Sequence, residues 1–565
     1  MKTVIIGGVA GGATAAARLR RLDESAEIVM IERGEHISFA NCGLPYYIGG
    51  TIKKKSALTL ETPESFNLRY NVDVRNLSEA VSIDPTGKTV TIHELKSGRI
   101  YQEGYDNLII STGAQPIKPP IPGVDSDKVF TLRNIPDTYR IKEFIQTAAP
   151  KSCVVAGGGY IGVEMAENLA NAGHEVTIVE LADHLIAPLD SEMAAEVHLY
   201  LRKKGITVIL NNGVRAIADN GSSLDVTLDN GKVLCDMIIL SVGVRPDTEL
   251  AKKAGIPCNE RGAILVNERM ETQIPDIYAV GDAVEVTDFV TGNKTMIPLA
   301  GPANKQGRIA ADNICGYPSV YTGTQGSAIL KIFEMTVAST GINERTACAA
   351  GIDYDKIYIY SPSHATYYPG ATMMSVKVLF ERKTGRILGA QIVGFEGVDK
   401  RCDLLAAVIR LKGTAYDLTK LELCYAPPFG SAKDPVNIAG FVIENILTGK
   451  VKNFHWQDIQ ALPEDGSVTL LDVRTPEEVA LGAIDRFVNI PLDSLRQRIS
   501  ELDRSKPVYV HCHSGQRSYI ACRILAGHGF KAYNLSGGYR LYRLMAKEER
   551  IPLPFCQACK NSISR

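Results

Sequence analysis

A single cysteine, Cys42, stands in Ser38-Phe39-Ala40-Asn41-Cys42-Gly43-Leu44-Pro45-Tyr46, about one βαβ unit beyond a glycine-rich N-terminal turn. A dithiol redox centre needs a partner cysteine within a few residues, and the positions that follow are Gly43, Leu44, Pro45, Tyr46 and Tyr47. A disulfide or persulfide at Cys42 is therefore shared with a small molecule, or the sulfur oxidises on its own. A second cysteine of different character lies in Val508-Tyr509-Val510-His511-Cys512-His513-Ser514-Gly515-Gln516-Arg517-Ser518. A strand, a cysteine, a short loop, an arginine five residues on and then a helix make an anion cradle, in which amides and the helix N-terminus stabilise a thiolate or persulfide. A cysteine phosphatase loop has similar spacing but holds phosphate, so the spacing alone leaves two chemistries open.

Elements that could position these sulfurs surround them. Thr3 to Ile6 is a short apolar strand, Gly7-Gly8-Val9-Ala10-Gly11-Gly12 a turn, Ala13 to about Leu22 a helix, and Ile28 to Ile31 a second strand ending at Glu32. Cys153 to Ala156 repeats the pattern with Gly157-Gly158-Gly159-Tyr160-Ile161-Gly162, a helix to about Ala172, and Val176 to Val179 ending at Glu180. In each, glycines admit a pyrophosphate to a helix N-terminus, and an acid roughly 20 positions later accepts hydrogen bonds from a ribose. One such turn is weak evidence. Two, each with strand, helix and terminal acid, point to two dinucleotide cofactors, although the first departs from the pattern at Val9. After Glu180 come Leu181, Ala182, Asp183 and His184, with no arginine or lysine to grip a 2′-phosphate, so the second site favours NADH over NADPH.

Composition sets the outer bounds. At 565 residues the chain has room for about four domains of roughly 150 residues. A net charge of −1 gives no global drive toward nucleic acid or an anionic membrane, no stretch of about 18 uncharged apolar residues appears, and the N-terminus reads directly into a strand rather than into a signal-peptide pattern. The expectation is a cytoplasmic protein without nucleic-acid or membrane partners. Twelve cysteines spread singly read as thiols, most of them in the core. The terminal Cys556-Gln557-Ala558-Cys559 supplies only two of the ligands a zinc site needs, so no metal is assigned.

Further segments resemble those of flavoproteins with two dinucleotide-binding domains. Ile274-Pro275-Asp276-Ile277-Tyr278-Ala279-Val280-Gly281-Asp282 is similar to the strand that closes their flavin site, which implies FAD on the first turn with Asp282 at its ribityl chain. Ser111-Thr112-Gly113-Ala114 and Val242-Gly243-Val244-Arg245-Pro246 resemble the crossovers out of the two nucleotide domains. The resemblance implies FAD contacts at the first turn and at Glu32, Arg33, Thr112, Gly113, Gly281, Asp282 and Ala300. It implies nicotinamide contacts at Gly157, Gly159, Tyr160, Ile161, Gly162, Glu180 and Gly243. From about Thr322 to Gly449 an α+β pattern matches, in position and size, the dimer-interface domain of pyridine nucleotide-disulfide oxidoreductases. Many members carry a histidine and glutamate there as acid/base, and residues 421–430 have no histidine; either the thiolate leaves unaided, or another group protonates it, with Tyr367, Tyr368 and Tyr425 as the candidate hydroxyl donors or as plain core or interface tyrosines.

The Cys42 segment, the paired turns and the stretch from Tyr425 to Pro435 together resemble the coenzyme A-disulfide reductases over roughly residues 1–450. The resemblance implies that Cys42 is the nucleophile and redox centre, cycling through a mixed disulfide with coenzyme A, with Ser38 and Asn41 bordering the thiol. It implies a homodimer in which Tyr367 and Tyr425 reach across to flank the sulfur. Thr14, Arg18 and Arg21 would bind the coenzyme's nucleotide part, with Lys433 adding charge; a solvated helix face explains Arg18, Arg20 and Arg21 equally well.

The last hundred residues resemble a rhodanese domain, through Leu470-Leu471-Asp472-Val473-Arg474, Asn489-Ile490-Pro491-Leu492, the Cys512 loop and Ser536-Gly537-Gly538-Tyr539 in that order. This implies that Cys512 carries sulfane sulfur and that Arg517 organises the loop or its anionic donor. The expected fold is α/β. Two Rossmann-like dinucleotide-binding domains (FAD, 1–113 and 244–321; nicotinamide, 114–243) precede an α+β dimerisation domain (322–449) and a linker with a C-terminal α/β rhodanese domain (450–565). A sulfur-transfer domain fused to such a reductase favours small persulfide or polysulfide substrates: NADH reduces FAD, reduced flavin breaks the bond between Cys42 and substrate sulfur, and thiol and hydrogen sulfide leave. The protein would supply position and thiolate electrostatics. Three alternatives stay open: coenzyme A-disulfide reductase, NADH oxidase or peroxidase, and a sulfur-carrier or redox-sensing partner protein.

Overall fold

A computed structural model describes residues 1–548, so Cys556 and Cys559 lie outside the described residues. The chain divides into two compact units, 1–182 with 202–326, and 183–201 with 327 onward.

In the first unit, short runs of β-branched and aliphatic residues form two parallel five-stranded sheets. One is ordered Ile277–Ala279, Asn107–Ile110, Lys2–Ile6, Glu27–Ile31, Asp73–Arg75; the other Thr207–Ile209, Glu175–Val179, Ser152–Ala156, Met237–Leu240, Val129–Thr131. Continuous apolar runs suit strands covered on both faces, and Val4, Ile5, Val154 and Val155 are wholly buried. The two halves repeat each other in detail. Gly7 N–H donates to Ile31 and Gly157 N–H to Val179, each at 2.8 Å, while Ser111 and Ser241 N–H donate to Ile6 and Ala156. The two crossovers pair with each other as antiparallel strands, Ala114–Pro116 against Val244–Pro246. The first helix starts at Ala10, inside the glycine run and three residues earlier than its composition suggests. Small side chains allow this: a Cβ at Gly307 of the helix Ala300–Ile314 would sit 2.3 Å from the Gly11 carbonyl oxygen, so the two helices touch through backbone.

In the second unit an antiparallel sheet is ordered Ala328–Ile332, Met335–Gly341, Ile387–Gly394, Met373–Glu381, Tyr354–Pro362, and the helix Val398–Arg410 packs on it. A parallel sheet follows, ordered Lys452–Phe454, Ala532–Leu535, Val508–His511, Thr469–Asp472, Val488–Asn489, with a core around Val510, Cys512 and Leu525. The architecture is mixed α/β, with Rossmann-type domains, an α+β dimerisation domain and a C-terminal rhodanese fold. Among the described residues, no helix is long and apolar enough to cross a membrane.

Candidate active sites at Cys42 and Cys512

Cys42 sits in the short turn Asn41–Gly43, which feeds the helix Leu44–Ile48. Leu44, Pro45, Tyr47 and Ile48 are buried and fix that helix, leaving Asn41 and Cys42 on its open rim. Ser38 enters the turn with a left-handed backbone (φ 43°) and donates its N–H to the Gly8 carbonyl, which ties the cysteine turn to the first glycine loop. Burial, followed by the carboxylates of Glu164 and Asp282, pushes the Cys42 thiol up. Position is supplied, but the expected thiolate electrostatics are not: the charged side chains facing this sulfur are acids, which oppose a second negative charge.

Glu164 and Tyr46 were not singled out from sequence, yet both face this sulfur. The Tyr46 hydroxyl makes a long 3.4 Å contact with the Glu164 carboxylate, and burial pushes the Tyr46 phenol up. Burial, helped by Glu167, pushes Glu164 up to about 7 against the Tyr46 hydrogen bond. A signal existed for each: Tyr46 is one helical turn after Cys42, and Glu164 one turn after Tyr160.

The two terminal acids behave alike. Glu32 accepts from Gly8 and Gly34 N–H at 2.9 and 2.8 Å, and Glu180 from Gly158 and Ala182 N–H at 2.5 and 2.8 Å. Each therefore clamps its glycine loop. A Cβ at Gly12 would meet the Gly7 carbonyl oxygen at 1.9 Å, and one at Gly162 the Gly157 oxygen at the same distance, whereas one at Gly159 would meet nothing within 4 Å. Gly281 N–H donates to Gln306, and Ala300 opens its helix with no acidic residue in the first turn. Thr112 donates to the Asp247 carbonyl and Arg33 pairs with the Asp247 carboxylate at 2.7 Å. Gly113 and Gly243 take positive φ beside these crossovers. Arg133, for which the sequence carries no signal, donates to the Thr112 carbonyl. Its burial lowers its proton affinity while Asp282, itself pushed up by burial, attracts it.

The candidates for coenzyme recognition separate. Thr14 donates to Asn304, Arg18 is paired with Asp312 at 2.7 Å, and Arg21 is exposed. Arg20 is no solvated helix residue: it is buried and donates to the carbonyls of Tyr70, Asp23, Glu24, Ala26 and Asn71. Lys433, exposed, and the two tyrosines belong to the second unit. There Tyr367 and Tyr425 meet, hydroxyl to hydroxyl at 2.8 Å, both exposed, while Tyr368 packs edge-on against His364.

At the second sulfur, Cys512 is fully buried at the end of the strand Val508–His511. Gly515 N–H donates to its Sγ at 3.1 Å and the Ser518 hydroxyl at 3.4 Å, with Gly515 at φ 96° leading into the helix Gln516–Gly527. Arg517 forks onto Glu478 at 2.6 and 2.7 Å, which holds Glu478 down at about 2. Burial lowers His511 to about 4 and lowers His513 as well.

Comparison with known proteins bears on both sites. Residues 1–307 match the pyridine nucleotide-disulphide oxidoreductase family, residues 327–435 its dimerisation domain, and residues 455–544 the rhodanese-like domain. The chain belongs to the pyridine nucleotide-disulphide oxidoreductase family. Two relatives are a Methanocaldococcus jannaschii protein named NADH oxidase, 37% identical over 78% of this chain and 98% of its own, and a Staphylococcus epidermidis coenzyme A disulfide reductase, 35% identical over 78% and 99%. Two solved structures extend across nearly the whole chain. The crystal structure of reduced Bacillus anthracis CoADR-RHD is 48% identical (TM-score 0.95, 97% of this chain, 98% of that one). A NAD-dependent persulfide reductase from A. fulgidus is 38% identical (TM-score 0.89, 96% and 100%).

This oxidoreductase uses flavin and NAD(P)H, and its two loops fit them. The glycine contacts leave no room for larger side chains at Gly12 and Gly162, and the loop is open at Gly159. Glu478 gave no chemical signal in sequence, because Thr475-Pro476-Glu477-Glu478 reads as an N-terminal capping box, and it is one.

Proposed function

We propose that the chain is an FAD-containing, NADH-dependent reductase of coenzyme A persulfide, polysulfide or related sulfane sulfur, releasing thiol and hydrogen sulfide. The observation that carries the reading is the pairing, in one chain, of a lone cysteine beside the first glycine loop with a rhodanese loop whose amide and hydroxyl both aim at Cys512. A disulfide reductase alone gains nothing from such a loop. FAD, when bound, relays the nicotinamide's electron pair to the sulfur–sulfur bond held at Cys42. Gly7, Gly8, Gly11, Gly12, Glu32, Arg33, Thr112, Asp282 and Ala300 would hold it, and Gly159, Gly162 and Glu180 the nicotinamide dinucleotide. Support for NADH is the Glu180 carboxylate, whose charge repels a 2′-phosphate.

Cys42 attacks the substrate persulfide and one sulfur–sulfur bond is exchanged for another. Attack on the thiol sulfur expels hydrosulfide and leaves a mixed disulfide, whereas attack on the sulfane sulfur expels the thiolate and leaves a Cys42 persulfide. In a homodimer, the hydrogen-bonded Tyr367–Tyr425 pair of one protomer would protonate sulfur leaving from Cys42 of its partner. Cys512 presents or receives the sulfane sulfur.

The test is anaerobic NADH oxidation by purified protein with coenzyme A persulfide, coenzyme A disulfide, polysulfide and peroxide, with hydrogen sulfide assayed in parallel. Sulfide released in step with NADH is the expected result. A second reading, reduction of the symmetric coenzyme A disulfide, draws on the S. epidermidis relative, which covers 78% of this chain. It predicts NADH consumption with the disulfide and no sulfide.

A further inference from the structure

The arginines around the Cys512 loop each face a carboxylate. Arg474 is buried, sits 2.6 Å from Asp472 and lies over the Tyr539 ring. Arg517 is forked onto Glu478. Arg540, whose N–H donates to the His513 carbonyl, stands 3.7 Å from Glu196 and over the Tyr360 ring. His511 and His513 are both held toward the neutral form by burial. The loop thus offers directed N–H and O–H donors to one sulfur, and Arg517, the cation that also faces Cys512, is paired with Glu478 first.

Resting on the reading that Cys512 handles sulfane sulfur, we propose that Glu478 sets the donor class: by neutralising Arg517 it turns away dianionic donors such as thiosulfate and leaves the loop to alkyl persulfides. Both donors run the same exchange. The Cys512 thiolate attacks the sulfane sulfur, the donor's sulfur–sulfur bond breaks, and its electron pair leaves on sulfite or on the alkyl thiolate, so Cys512 ends as a persulfide with no external oxidant or reductant. The difference is charge. Thiosulfate brings two negative charges to a loop whose facing arginine is already neutralised by Glu478, whereas an alkyl persulfide brings at most one at its reacting end. A carboxylate two helical turns away in a neutral fold would leave Arg517 free to receive the dianion; this one is bidentate and ionised across the physiological range.

Full-length holoenzyme, wild type against Glu478→Gln and Glu478→Asp, tests this by two readouts. Thiosulfate-to-cyanide sulfur transfer measures the donor, and the rate of Cys512 labelling by iodoacetate relative to iodoacetamide, followed on the Cys512 peptide, measures local charge without turnover. Wild type should use thiosulfate far less well than coenzyme A persulfide. Glu478→Gln should raise kcat/KM for thiosulfate on the order of tenfold, mainly through KM, as expected for one unit charge acting on a dianion in a half-solvated site. It should raise the iodoacetate preference alongside, and Glu478→Asp should restore both toward wild type. Equal use of both donors by wild type, or a labelling ratio unmoved in Glu478→Gln, overturns the proposal. A fall in labelling by both reagents together gives Glu478 a purely structural role and overturns it as well. Failure of the reductase reading itself shows elsewhere, as absence of sulfide from coenzyme A persulfide, and leaves the labelling ratio untouched.

Discussion

Glu164 acts on Cys42 across a tertiary contact, from a half-buried position beside the thiol. Its carboxyl keeps a proton in the fold to about pH 7, while the unfolded chain releases it near 4.5. Folding is therefore unpenalised below about 4.5, loses stability as the pH rises toward 7, and carries the full penalty above. Glu164→Gln removes that penalty. The variant should melt higher than wild type at pH 8 and no differently at pH 4, by differential scanning fluorimetry of the flavin-loaded protein. It should also shift the pH profile of Cys42 alkylation downward, because one of the two acids opposing the thiolate is gone. An alkylation profile identical to wild type would remove Glu164 from any influence on this sulfur. The sulfurs themselves divide the chemistry: Cys512→Ser should keep flavin reduction by NADH and lose sulfur transfer, while Cys42→Ser should keep flavin binding and lose turnover with every sulfur substrate.

At the scale of elements, strand, glycine turn, helix and terminal acid were readable twice, because the turn demands glycine at fixed offsets. The helix start was misplaced by three residues at Ala10, since small residues leave no periodic signal and the boundary is fixed by contact with the helix Ala300–Ile314. The second turn separates two roles for glycine. Gly162 packs against the Gly157 carbonyl, so Gly162→Ala forces the helix off the strand, and the nucleotide domain should lose folding cooperativity. Gly159 has an ordinary φ of −73° and open space beyond it. Gly159→Ala should therefore fold as wild type but raise KM for NADH about tenfold, by crowding the approach of the pyrophosphate. Circular dichroism with steady-state kinetics on both variants distinguishes the roles; an unfolded Gly159→Ala or a fully active Gly162→Ala would reverse them.

At the scale of the whole molecule, the order of domains was legible but the grouping of 183–201 with the second unit was not. The reason is an ion cluster with no local signature. Asp190 and Glu192, from that segment, converge with Glu344 on the Lys377 ammonium of the inner strand Met373–Glu381 of the antiparallel sheet, at 2.6 Å for Asp190 and 2.5 Å for Glu344. Lys356 reaches Glu344, Gln391 donates to Asp190, and the Tyr358 hydroxyl donates to Glu192. Tyr358 also donates its backbone N–H to Ser536 of the rhodanese fold, so one residue joins the cluster to that domain. The three carboxylates lie close enough together to hold a metal ion, but Lys377 already supplies the cation. Burial raises Asp190, while Lys377 holds Glu192 and Glu344 down against the same burial. A proton on Asp190 would balance three acids against two lysines. Lys377→Met removes the central cation and leaves buried carboxylates with only Lys356, a loss of about 3–5 kcal/mol for a buried pair broken on one side. Because Glu192 and Glu344 are held low in the fold, that stabilisation is present above about pH 4.5 and fades as the pH falls through their depressed values, so the gap between wild type and variant should close in acid. Urea denaturation at pH 7 and at steps below pH 4.5, where the gap should begin to narrow, with hydrogen exchange across 183–201, measures both. A variant as stable as wild type at pH 7, with that segment equally protected, would mean that apolar packing alone docks it on the sheet.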